Sequence, residues 1–201
     1  MPTPTPVRIV RLTGAAIDPY LPDVARLRLR VFREFPYLYD GTLEQEQKHL
    51  RLTADSPGSV VVAALAGDVA VGASTGLPMI HEPPHLHAPF IAQGRDPGAC
   101  FYLGESVLLP EYRGRGIGVR FFEEREAHAR TLGRFEIAAF CAVQRPASHP
   151  RRPEGYVPLE QFWTRRGYAR RQDLAVQFTW QDIDEPTPTP HPMVFWIKPL
   201  A

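Results

Sequence analysis

Hydrophobic positions along this chain follow two rhythms, one with a period of two and one with a period of three to four, and the switches between them mark out its elements. Residues 7–12 alternate apolar side chains with arginine, which predicts a half-exposed strand. Between residues 21 and 35, Val24, Leu27, Val31 and Phe35 recur at three or four, and Pro22 suits a first helical turn. The kink Phe35-Pro36-Tyr37-Leu38-Tyr39-Asp40-Gly41 ends that helix, and residues 43–52 predict a second, charged one with Thr42 as its cap. The runs 60–66 and 69–77 flank Gly67-Asp68 as a hairpin, its second strand weakened by Gly72, Ala73 and Gly76. Prolines and glycines break both rhythms over residues 78–98, which predicts an inserted surface loop with room for one helical turn.

A continuous apolar run over residues 99–109 predicts a strand buried on both faces. A helical pattern then runs to about residue 132, carrying Ile117, Phe121, Phe122 and Leu132 inward and stopping at Gly133. Residues 135–143 predict another buried strand, 144–158 a Pro- and Arg-rich excursion, and 159–166 a short helix ended by Gly167. Two last strands, 174–180 and 193–198, are joined by an acidic, proline-rich loop. Residues 1–6 read as a disordered lead-in, and 7–201 as a single domain, large enough to bury its own core. The element order is therefore β, α, α, β, β, β, α, β, α, β, β.

Charge narrows the partners. Lysine plus arginine number 23 against 22 for aspartate plus glutamate, so no global field draws nucleic acid or a membrane surface, and neither is expected. Residues 1–6 lack the apolar core of a signal peptide and the longest apolar run, 60–66, is too short to span a bilayer. Cys100 and Cys141 lie in strand-like runs without metal or redox spacing, which suits a reducing, cytoplasmic setting. A homodimer is left open.

Candidate chemistry concentrates in Val107-Leu108-Leu109-Pro110-Glu111-Tyr112-Arg113-Gly114-Arg115-Gly116-Ile117-Gly118, read as strand, tight loop and helix start. The glycines let the backbone curl inward and aim several N–H groups at one spot. A helix start adds unpaired N–H groups and a positive dipole end, each favourable anion interaction contributing about 0.3–1 kcal/mol. Arg113 and Arg115 add forked donors. A nucleotide P-loop needs Lys-Ser/Thr where Ile117-Gly118-Val119 stands, and a dinucleotide fingerprint needs G-x-G-x-x-G after a first strand, so neither fits. The glycines also suit a plain strand-to-helix connection.

The pattern R-x-x-G-x-G, with Arg113, Gly116 and Gly118 at its fixed positions, resembles the GNAT superfamily of acyl-CoA-dependent N-acetyltransferases, and the element order matches that family's over nearly the whole chain. The resemblance implies an α/β GNAT fold: a central mixed seven-stranded sheet, about four helices, and a splayed strand pair, here 99–109 and 135–143, holding acetyl-CoA as co-substrate. It implies that Val107, Leu108 and Leu109 meet the pantetheine through main chain, and that Arg113, Gly114, Arg115, Gly116, Ile117 and Gly118 hold the pyrophosphate. No metal is expected: His81, His85 and His87 form H-x3-H-x-H, but Pro83 and Pro84 interrupt any helix that would align them.

Presenting an ammonium of pKa near 10.4 as a neutral amine at pH 7 costs about 5 kcal/mol, so a base helps. Glu105 is the one acid in the 99–109 run, and apolar neighbours should raise its pKa into general-base range. The family's base position falls on Tyr102, an odd number of residues away, so Glu105 faces the same way only if a β-bulge intervenes; otherwise it caps or pairs with an arginine. Where the family carries a thiolate-protonating tyrosine, four residues before Gly167, this chain has Trp163, which supplies no such proton. Tyr156, Tyr37 or Tyr39 are substitutes. The amine pocket implied by the resemblance is lined by Tyr37, Tyr39 and Asp40, by Trp163 and by Asp182, carboxylates beside aromatics suiting a cation. The expected function is acetyl transfer from acetyl-CoA to a primary amine of a small molecule or peptide by direct attack; a non-catalytic acyl-CoA-binding module is the alternative.

Overall fold

The alternation at the start of the chain becomes β1 (Val7–Leu12), paired antiparallel with β2 (Val60–Ala66), which pairs in turn with β3 (Val69–Pro78) across the Gly67-Asp68 turn. A computed structural model describes residues 6–200, so residues 1–5 of the expected lead-in lie outside it. Between β1 and β2 come α1 (Leu21–Phe32) and α2 (Leu43–Asp55). α1 ends before Phe35 because Pro36 lacks a helical donor and restricts the residue before it. α2 starts with a capping box: Thr42 Oγ1 accepts from the Gln45 N–H at 3.3 Å, and Gln45 Oε1 from the Thr42 N–H at 2.9 Å.

Residues 78–98 depart from the expected surface loop. A 3-10 turn, Met79–His81, leads into α3 (Pro84–Ala92), and Met79, Leu86 and Phe90 are fully buried, Phe90 meeting Phe195 edge-on at 4.9 Å. Pro84 is not a breaker here; it opens the helix, where its missing N–H has no partner to lose. Leu86 and Phe90, four apart, then face the same side and anchor it.

The apolar run 99–109 is not one strand. It forms β4 (Cys100–Tyr102) and β5 (Ser106–Leu108), so among the described residues the sheet has eight strands where seven were expected. Leu77 opposes Tyr102 and Ser74 opposes Ser106, leaving two residues of β3 against three on the other side, 103–105. That surplus residue is a β-bulge. Gly104 sits in it because a Cβ there would lie 2.5 Å from Thr75 Oγ1.

After β5 come α4 (Ile117–Thr131), β6 (Ile137–Val143), α5 (Glu160–Thr164), β7 (Ala169–Trp180) and β8 (Thr189–Pro199). The strand order is β1-β2-β3-β4-β6-β8-β7, with β5 also on β3, and β4–β6 is the parallel pair in an otherwise antiparallel sheet. One core packs α1, α2 and α4 against the β1–β3 side; a second gathers α3 with Cys100, Tyr102, Cys141 and Phe195. Among the described residues no helix is long and apolar enough to cross a membrane.

Candidate active site

The site begins where a pairing stops. β4 runs beside β6 through Tyr102↔Ala139, and the Leu103 N–H donates to the Ala139 carbonyl at 2.8 Å. Past the bulge, β5 pairs with β3 alone while the rest of β6 pairs with β8, so the two chains diverge and a gap opens in the sheet. The Leu109 N–H donates to Val71 O at 3.0 Å and Thr75 N–H to Glu105 O at 3.0 Å. By the alternation of an antiparallel ladder, Glu105, Val107 and Leu109 spend their main chain on β3, and Ser106 and Leu108 turn theirs to the gap. This corrects the expectation for Val107 and Leu109: Leu109 also has its carbonyl taken by the Tyr112 N–H at 3.0 Å. Leu108 keeps its N–H on the gap side, with Ser106 as the partner the sequence reading missed.

Arg125 of α4 holds the bulge in place. Its guanidinium, fully buried, donates to Thr75 O at 3.0 Å, Glu105 O at 3.1 Å, Ser106 Oγ at 2.9 Å and Phe121 O at 3.0 Å. Burial pulls its pKa down to about 10, so it is still charged at neutral pH, satisfied by carbonyl dipoles. Its sequence signal was an arginine on the apolar stripe Phe121, Phe122, Ala129 of a helix.

Beyond Leu109 a 3-10 turn, Pro110–Tyr112, delivers the chain to the glycine loop. Gly114 (φ +75°) and Gly116 (φ +78°) take the left-handed conformation that L side chains disfavour, and Gly116 is the N-cap of α4. The N–H groups of residues 114–118 have no backbone acceptor among the described residues, while those of Val119 and Arg120 return to Gly116 O. A Cβ on Gly114 or Gly116 would meet nothing within 4 Å, so the space over these amides is open. An anion fits there. The two arginines flank the cradle: Arg113 donates to Leu108 O at 3.1 Å and pairs with Glu34 at 2.9 Å, and Arg115 donates to Glu111 O at 2.7 Å and lies over the Tyr112 ring. Ile117 is buried beneath, and Gly118 lets Phe162 of α5 approach, a Cβ there standing 3.2 Å from its ring.

The bulge turns the Glu105 side chain toward α1 and α2. Its Oε2 is 2.6 Å from Arg28 Nη1 and 3.8 Å from His49 Nε2; Arg28 also pairs with Glu46. Oε1 is buried and has no partner. Burial pushes this carboxyl up, but Arg28 and His49 outweigh it and hold the pKa down at about 2. The expected raised pKa is therefore corrected: the bulge is present, but the carboxylate also makes the arginine pairing that was its alternative. Tyr102 OH and Cys141 Sγ share a hydrogen bond at 3.1 Å, and burial lifts the phenol well above its ordinary range and the thiol to about 12. Tyr37 lies within reach of the charges of Arg28 and Glu105 and of Tyr156, its ring 4.6 Å from Phe32 and 5.9 Å from Trp180. Tyr156 stands edge-on to Phe35 at 4.8 Å, and Tyr39 faces Glu46. Glu105, Tyr102, Tyr37, Tyr39 and Tyr156 are thus gathered at one end of the gap.

The GNAT acetyltransferase family model matches residues 23–151, from α1 through β6 and into the excursion that follows it. The protein belongs to the GNAT family. None of the curated proteins compared with it matches its sequence. Solved structures share the fold at low identity. A ribosomal-protein-alanine N-acetyltransferase from Brucella melitensis superposes with TM-score 0.62 at 15% identity, covering 96% of this chain and 99% of its own. An N-acetyltransferase from Staphylococcus aureus Mu50 gives 0.60 at 10%, covering 98% and 99%. A GNAT-family acetyltransferase from Streptococcus pneumoniae gives 0.58 at 12%, covering 98% and 100%.

Within this GNAT chain, three residues expected at the amine pocket lie elsewhere. Asp40 is exposed and paired with Arg33. Asp182 is buried, accepting from Arg145 Nη2 at 2.7 Å and Trp180 Nε1 at 3.0 Å, with His191 Nε2 at 3.3 Å; Arg145 also donates to Pro36 O and Tyr37 O. Through Oδ1 that carboxylate brackets the 35–41 kink to the β7–β8 loop. Trp163 packs between Phe140 and Trp196, each ring 5.1 Å away, so the register position of the family's acid is an aromatic core contact here. The three histidines separate: His81 meets Ser56, His85 meets Phe178 edge-on, and His87 meets Met79 O. The sequence reading missed Arg28, Arg125 and His49.

Proposed function

We propose that this GNAT protein transfers an acetyl group from acetyl-CoA to a primary amine of a small molecule or peptide, by direct attack in a ternary complex. The observation that carries the reading is the continuity of the gap: the open glycine cradle stands at one end of β5 and an unpartnered carboxylate oxygen, Glu105 Oε1, at the other. The amides of residues 114–118 suit the donor's pyrophosphate, and the main chain of Leu108 and Ser106 suits an amide-bearing arm. Acetyl-CoA supplies the activated acyl group. Tyr37, Tyr39, Tyr102 and Tyr156 wall the acceptor end, and the ionised Glu105 favours a cationic acceptor. Two unpaired, buried cysteines suit a reducing cytoplasm.

The test is a CoA-release assay with acetyl-CoA over simple amines, polyamines, aminoglycosides and peptides. Release with at least one amine class is expected. Binding of acetyl-CoA without release for any of them would favour an acyl-CoA-binding module instead.

A further inference from the structure

We infer that His49 of α2 takes the proton from the acceptor amine, while the Glu105 carboxylate holds that nitrogen against it. The inference rests on the acetyl-transfer reading and assigns the proton step within it.

The direction of approach comes first. β4 stays joined to β6 as far as the bond from the Leu103 N–H to Ala139 O, so the gap opens at the bulge, residues 103–105. Glu105 and Ser106 are consecutive, and their side chains leave opposite faces of the sheet. Ser106 Oγ accepts from Arg125 Nη2 at 2.9 Å, and Arg125 is fully buried. α4 therefore covers that face of the bulge, and an acceptor comes from the other. There Glu105 meets α1 and α2: its Oε2 is 2.6 Å from Arg28 Nη1 and 3.8 Å from His49 Nε2, and Arg28 also pairs with Glu46. The side chains of Arg28, Glu46 and Glu105 are at most 11% exposed, whereas that of His49 is 44% exposed. Within this cluster, whatever arrives from solvent meets His49 first.

The spacing suits a nitrogen. Two groups 3.8 Å apart can both be touched by one amine lying about 2.9 Å from each, an ordinary hydrogen-bond distance. Of the two Glu105 oxygens, Oε2 is shared with Arg28 and Oε1 is buried without a partner. Arg28 keeps this carboxylate ionised, so it orients the amine and leaves the proton to another group. Histidine is the side chain that changes charge between pH 5 and 8, and the negative Glu105 balances the imidazolium that results. The charged groups around the ring are Glu105 from the bulge, Arg28 of α1 behind it, Glu46 one turn earlier on α2, and Glu82 on the turn after β3, which feels the charge of His49. As the amine nitrogen bonds to the thioester carbon, the carbon–sulfur bond breaks and its electron pair leaves on sulfur. The proton shed by the nitrogen passes to His49 Nε2, and the exposed ring returns it to water.

The experiment measures CoA release by wild type, His49→Ala and Glu105→Gln from pH 5.5 to 9, with melting and acetyl-CoA binding recorded for each. Rates are expressed per free amine, so that the acceptor's own titration drops out. Wild-type kcat/KM should rise across the histidine range and then level off. His49→Ala should bind acetyl-CoA as wild type does, lose that limb, and fall about 10²–10⁴-fold near pH 8. Added imidazole should restore part of that loss and leave wild type unchanged. Glu105→Gln should keep the limb and raise the amine KM; an unchanged KM overturns the part given to the carboxylate. A His49→Ala profile superimposable on the wild type's overturns the proposal alone, as does a loss equal at every pH that imidazole does not restore. Wild type that binds acetyl-CoA and turns over no amine overturns the acetyl-transfer reading and this proposal with it.

Discussion

Glu105 shows how one neighbour reverses a residue's chemistry. A buried carboxyl without a partner titrates high, and with Arg28 at 2.6 Å it titrates at about 2. The sign of its linkage to stability follows. Its folded pKa is depressed below the unfolded value of about 4.3, so the pair stabilises the fold above that value and loses the contribution as pH falls toward 2. Over roughly two units this amounts to about 3 kcal/mol. Glu105→Gln should remove that much at pH 7 and flatten the acid limb of a urea-denaturation series between about pH 4 and 2. An acid limb identical to wild type would show that another carboxylate governs it. Nothing in the run around Glu105 signals Arg28, because the partner is 77 positions earlier, on a helix whose apolar stripe it interrupts. A separation of 37 positions likewise hid the engagement of Asp182 by Arg145.

At the scale of elements, rhythm told most of the story. Strands β1, β2 and β6, the hairpin, the α2 cap and the Gly133 stop could all be read from spacing, since each depends on residues close in sequence. α3 could not, because proline was counted as a breaker at a position where it starts a helix. The β4/β5 division could not either: Gly104 is the local mark of a bulge, but the apolar run around it reads as continuous. What fixes the bulge is Arg125, which gathers Thr75 O, Glu105 O and Ser106 Oγ on one guanidinium. Arg125→Met should therefore cost about 2–4 kcal/mol in denaturant unfolding, by taking one of two donors from each of Thr75 O and Glu105 O and the arginine partner from Ser106 Oγ. It should also weaken acetyl-CoA binding in the folded variant, as Ser106 and Leu108 lose their alignment along the gap. Full stability with unchanged binding would show that the bulge holds without the arginine.

Across the whole molecule, one parallel pair in an otherwise antiparallel sheet decides where a ligand can enter. β4 and β6 are joined as far as Leu103 and part where β5 shifts its allegiance to β3; the glycine loop and α4 start lie past the end of β5, and Glu105 by the bulge. The acyl-CoA account rests on that loop. The most direct test is calorimetric titration of acetyl-CoA into wild type and Gly116→Asp, with circular dichroism to confirm that both are folded. The variant places a carboxylate over the open amides at a left-handed position. Saturable one-to-one binding by wild type is predicted, weakened at least about tenfold in the variant, a loss of about 1.4 kcal/mol or more. No binding by wild type, or equal affinity in the folded variant, would contradict the account.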